Sequence, residues 1–162
     1  MPDEKEFLAV KAEIDNILAT AYEVVSPLLA PVDKIIQDIK QQLAHGTDRI
    51  STDQLHEWGL ALSVATSELT PQKDAYALAS ALWKVDIAKS NAKSIAEKRA
   101  DQKKVDVENQ NVIDRSDKET QKIILDYMSG LIKDTQDNIY QMCSELNRIM
   151  DARTRFAEFD KK

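Results

Sequence analysis

Apolar residues recur along this chain in steps of three and four, and the longest unbroken pattern lies near its end. Leu125, Ile132, Ile139, Leu146 and Arg153 form one row seven apart; Gln121, Met128, Thr135, Met142, Ile149 and Phe156 form a second. The rows interleave as the a and d positions of a heptad, with Gln121, Thr135 and Arg153 the only polar members. The spacing predicts a helix packed lengthwise against other helices, from this chain or from a second copy. Ser116-Asp117-Lys118-Glu119 fits a capping box at its start. Gly130 inside it points to a close helix–helix approach or a bend.

Upstream, Phe7, Val10, Ile14, Ile17, Ala21 and Val24 predict a first helix, which Ser26-Pro27 is expected to stop. Pro31 opens a second, with Val32, Ile35, Ile36, Ile39 and Leu43 on one face and His45-Gly46 at its end. Ser51 or Thr52 caps a third, whose face holds Leu55, Trp58, Leu62, Ala65 and Leu69. Thr70-Pro71 marks a boundary, and from there to about Asn109 neither Gly nor Pro occurs. Tyr76, Ala79, Leu82, Trp83 and Ile87, then Ala88, Ala92, Ala96 and Ala100, predict a long helix. Residues 105–115 lose the pattern and suit a reversal. The expected fold is all-α: an elongated helical bundle in one domain, 1–162. Short helices fill 1–70, and a long αα-hairpin with the heptad-patterned C-terminal helix fills 71–162.

Composition agrees. Three Gly and four Pro in 162 residues leave few obligatory turns, and 31% of residues are charged. The single cysteine, Cys143, makes no intramolecular disulfide and reads as a small packed residue in a reducing compartment. The acidic start MPDEKEF lacks a signal-peptide core, and no apolar run approaches the roughly 20 residues that span a bilayer. A soluble cytoplasmic protein without membrane contact is expected.

No catalytic set is visible. His45 and His56 have no zinc-ligand neighbours, no Gly-rich phosphate loop or nucleophile elbow occurs, and the carboxylates are spread along helices. The expectation is a non-enzyme with no metal and no cofactor.

Charge singles out one stretch. The net charge is −6, yet residues 84–104 carry Lys84, Lys89, Lys93, Lys98, Arg99, Lys103 and Lys104 against Asp86, Glu97 and Asp101. The rest of the chain has 15 basic and 25 acidic residues. Small residues between the bases leave their side chains uncrowded. Such a stripe tracks a phosphate backbone, or it is a solvated helix face with internal salt bridges. A second basic group is Arg148, Arg153 and Arg155, beside Phe156 and Phe159.

Around the last helix, Leu125-Asp126-Tyr127-Met128-Ser129-Gly130, then Leu146-Asn147-Arg148-Ile149-Met150 and Arg155-Phe156, preceded by a Lys- and Ala-rich helix, the chain resembles the T4-type phage recombination mediators, the UvsY-like family, over about residues 75–160. The resemblance implies a small, all-helical, ring-forming, non-enzymatic protein. Such a protein binds single-stranded DNA and helps load a recombinase onto strands covered by single-strand-binding protein, in the host bacterial cytoplasm if phage-encoded. By position, Lys89, Lys93, Lys98 and Arg99 are its DNA-contacting candidates, with Lys84, Lys103 and Lys104 in the same stripe. Leu125, Met128, Ile132, Ile139, Met142, Leu146, Ile149 and Phe156 are its expected oligomerisation residues. The alternative is a structural or adaptor helical protein, a virion or secretion component, that assembles without nucleic acid.

Overall fold

In the computed structural model the fold is all-α, an assembly of three helices: α1 (Glu4–Ala44), α2 (Thr52–Ala100) and α3 (Val105–Phe159), with a short 3-10 turn at Thr47–Arg49. The structure describes residues 4–100 and 105–159, and side chains outside 94–116. No strand occurs among the described residues.

Two compact units are built from these helices. The first takes residues 1–23 and 73–130, the second 24–72 and 131–162. Among the described residues, fourteen of the sixteen buried apolar side chains belong to the second unit. There α1 buries Val25, Leu29, Val32, Ile36 and Ile39, α2 buries Leu55, Leu62, Ala65 and Leu69, and α3 buries Ile132, Ile139, Met142 and Leu146. Each set advances by three, four or seven residues, the spacing of a stripe on one helix face.

The prolines do not end helices as expected. Pro27 and Pro31 lie inside α1, and Pro71 lies inside α2. A mid-helix proline costs about 3 kcal/mol relative to Ala. The buried row Val25–Leu29–Val32–Ile36–Ile39 passes through both α1 prolines without a change of step. Ending the helix at Ser26 would take that row out of the core, and each large aliphatic side chain contributes about 1.5–3 kcal/mol of burial. Pro27, Pro31 and Pro71 themselves are exposed.

The chain turns from α1 to α2 at Gly46, whose φ of 106° lies in the region that favours glycine. Ser51 then caps α2, as its position suggests: the backbone N–H of Gln54 donates to Ser51 Oγ at 3.1 Å. In α3, by contrast, the expected capping box at Ser116–Glu119 falls within the helix, which already begins at Val105. The expected reversal over 105–115 is therefore helical backbone too.

Gly130 makes no close helix–helix approach. A Cβ built there meets nothing within 4 Å.

Met128, Ile132, Ile139, Met142 and Leu146 are buried within the single chain. Within the second unit α3 runs antiparallel to α2: Gln136 Nε2 donates to Thr70 Oγ1 at 2.9 Å, and Arg153 reaches Thr52. These five of the expected oligomerisation residues are therefore buried by the chain's own helices. Leu125 and Ile149 are half-buried; of the eight, Phe156 alone is freely exposed.

Candidate nucleic-acid interface

The described part of the basic stretch, residues 84–100, lies on the part of α2 that belongs to the first unit. On this part of α2 Ser80 is buried and Trp83, Ile87 and Ser90 are half-buried, whereas Ala88 and Ala92 are exposed. Within this unit α2 and α3 are antiparallel. As the α2 position rises through Lys73, Ser80 and Ser90, its α3 partner falls through Ser129, Asp126 and Lys118. Leu82, expected among the packed residues, is instead exposed, while Tyr76, Ala79, Trp83 and Ile87 are half-buried.

Lys84, Lys89 and Lys93 are exposed. They do not form one row. At about 3.6 residues per turn, Lys89 and Lys93 are one turn apart on one face, whereas Lys84 falls well around the helix from them. Lys84 lies close enough to Asp126 for its charge to help lower the acid's pKa. The side chains of Lys98 and Arg99, and the whole of Lys103 and Lys104, lie outside the described residues.

The acid of this stretch that is described, Asp86, is already engaged. Lys118 Nζ lies 3.6 Å from its carboxylate and donates to Ser90 Oγ at 3.2 Å. Asp126 accepts from Lys122 Nζ on one oxygen and from the buried Ser80 hydroxyl on the other. These two hydrogen bonds, Lys122 first, hold its carboxyl below the usual carboxylate range. Asp126 is thus engaged from α2 by Ser80 and from its own helix by Lys122, and Lys89 and Lys93 are exposed on α2.

The second basic group divides. Arg153 is a structural residue: its guanidinium donates to the carbonyls of Thr47 and Ile50 at 2.6 and 2.7 Å. Arg148 and Arg155 remain exposed and, with Phe156 and Phe159, border a shallow depression along α3.

No group of His, Cys, Asp and Glu able to hold a metal occurs among the described residues. His45 Nδ1 lies 2.6 Å from the Gln41 carbonyl and His56 is exposed. Burial pushes the half-buried Cys143 thiol above its ordinary value, away from nucleophilic use. No described helix is long and apolar enough to cross a membrane.

Sequence reasoning missed two apolar surfaces: the row Leu78, Leu82 and Val85 on α2, and a groove between α1 and α2 that includes Leu60 and Val64. The helical periodicity that could have shown them was assigned to buried faces. No family model matches the chain, and neither a curated protein nor a solved structure does.

Proposed function

We propose that this chain is a non-enzymatic, homo-oligomeric DNA-recombination accessory protein. It binds single-stranded DNA through the phosphate backbone and assists loading of a recombinase onto strands held by single-strand-binding protein in a bacterial cytoplasm. The observation that carries this reading is charge segregation. An acidic chain places Lys89 and Lys93 on an exposed helix face, while Asp86 and Asp126 are engaged by Lys118, Lys122 and Ser80. A positive face of this kind favours a polyanion without reading bases. The resemblance over residues 75–160 supplies the recombination context.

The test is fluorescence anisotropy with a labelled single-stranded oligonucleotide over a salt series. Each phosphate contact contributes about −0.7 to the log–log slope for single strands. Replacing Lys89 and Lys93 together by Ala should flatten the slope by roughly 1 to 2. Replacing Lys34 and Lys40, on α1, should leave it unchanged. Equal binding by wild type and the Lys89/Lys93 variant at every salt concentration removes this face from the DNA site.

A second reading, a structural or adaptor assembly protein without nucleic acid, is favoured by one observation: Phe7, Val10 and Ile14 line α1 at helical spacing and are all exposed. Absence of DNA binding even at low salt decides for it.

A further inference from the structure

Two uncovered apolar surfaces of this chain are complementary. In the second unit, a groove of about 450 Å³ runs between α1 and α2. Its walls are Pro31 and Ile35 on α1 and Leu60 and Val64 on α2. Leu60 is 66% exposed and Val64 49%. Glu57 and Glu68 also line it, three turns apart on α2, so the apolar floor has an acidic rim at both ends.

In the first unit, the outer face of α2 carries a ridge. Leu78, Leu82 and Val85 are 64%, 62% and 51% exposed. Their steps of four and three set them in one line, and Lys89 continues it. At the other end of the line Asp74 lies 3.9 Å from Lys73, so the ridge's acidic end is balanced and its far end is basic.

We propose that the groove of one copy receives the Leu78–Leu82–Val85 ridge of a second copy, with Lys89 against the glutamate at one end of the groove. The fit is threefold. Both surfaces are apolar at one-turn spacing, each is uncovered in its own unit, and at the Lys89 end of the ridge the flanking charges are opposite. Apolar surface of this kind, rimmed by polar residues, marks an association site. The contact joins different patches on the two copies, so it is heterologous and propagates from copy to copy. It places self-association on α1 and α2, where the α3 heptad is already consumed inside the chain. It does not rest on the DNA-binding reading.

A reciprocal charge swap tests it. Glu57→Lys/Glu68→Lys makes the groove basic and leaves the ridge basic. Lys89→Glu makes the ridge acidic and leaves the groove acidic. By light scattering without nucleic acid, the wild-type weight-average mass should rise with concentration, and each variant alone should stay monomeric. Mixing the two variants should restore the rise, because each groove then meets a ridge of opposite sign. Circular dichroism checks that each variant keeps its helices. Leu60→Gln and Leu82→Gln, at exposed positions, serve where a charge swap costs helicity, and each should weaken association. A wild type that stays monomeric, variants that associate like wild type, or a mixture of folded variants that remains monomeric overturns the proposal. Lys89 is shared with the proposed DNA face, but Glu57, Leu60 and Glu68 are not, so loss of association in the groove variants with DNA binding intact separates the two readings.

Discussion

The guanidinium of Arg153 donates to the carbonyl of Ile50 at 2.7 Å, across more than a hundred residues of sequence. A second hydrogen bond, to Thr47, and a longer one to the Thr52 hydroxyl spread the fork over the whole turn between α1 and α2. The Thr47 carbonyl also accepts from the Ile50 N–H at 3.1 Å and closes the 3-10 turn, and the Ile50 carbonyl lies just before α2. The end of α3 thereby fixes the start of α2.

Arg153→Lys should therefore not be conservative, because a single ammonium cannot reproduce the planar fork. Hydrogen bonds to charged groups are worth about 1.5–3 kcal/mol. Loss of the fork should lower stability by about that much in a urea titration, with Arg148→Lys, at an exposed position, nearly silent. Equal midpoints for the two variants would show that the fork contributes nothing.

Pro71 and Gly130 are residues that helices tolerate rather than want. Pro71 is exposed inside α2, and a Cβ at Gly130 meets open space. Pro71→Ala should stabilise by up to about 3 kcal/mol, less what the proline gains by restricting the unfolded chain. Gly130→Ala should add roughly 1 kcal/mol. Thermal denaturation followed at 222 nm measures both. A lower midpoint in either variant means that the kink or gap at that position is needed by the fold.

Asp126 gives the first unit a pH dependence of defined sign. Its folded pKa is depressed by the hydrogen bonds from Lys122 and Ser80. The stabilisation is complete above the unfolded carboxylate value near about 4, and is lost as pH falls through the lower folded value. Asp126→Asn should accordingly be less stable than wild type at neutral pH, and the gap should close as pH falls through the lowered folded value. A gap that widens on acidification would reverse the assignment.

Much of the second unit was legible from periodicity alone. The spacing of Val32, Ile36 and Ile39, and of Leu55, Leu62 and Leu69, marks the faces that are buried, and Ser51, one of two cap candidates beside Thr52, marks the start of α2. What misled was local chemistry set against long-range packing. Pro27, Pro31 and Pro71 carry a strong local stop signal, but it is outweighed by rows of burial that continue past them. Arg153 looked like a charge out of place in an apolar seam because its acceptors lie on the far side of the sequence. Periodicity says that a face is covered; it does not say by which chain. For the candidate interface, charge pattern located Lys89 and Lys93, but not the rotation that sets Lys84 against Asp126. That rotation depends on which side of α2 meets α3, and Leu82 and Trp83 offered apolar residues to both sides.

The covered heptad yields the last prediction. Ile139 is 3% exposed in the single chain, whereas Phe156, in the same repeat, is 73% exposed. If the seam is internal, Ile139→Ala removes buried carbons and leaves a cavity, at a cost of about 2–5 kcal/mol. The cost is a property of each chain, so the difference from wild type should be the same at low and high protein concentration. Phe156→Ala, on an exposed surface, should change stability by no more than about 0.5 kcal/mol. Urea titrations of both variants at two concentrations, a hundredfold apart, measure this. A penalty for Ile139→Ala that grows with concentration, joined by a comparable one for Phe156→Ala, would show that α3 meets a second copy along its seam after all.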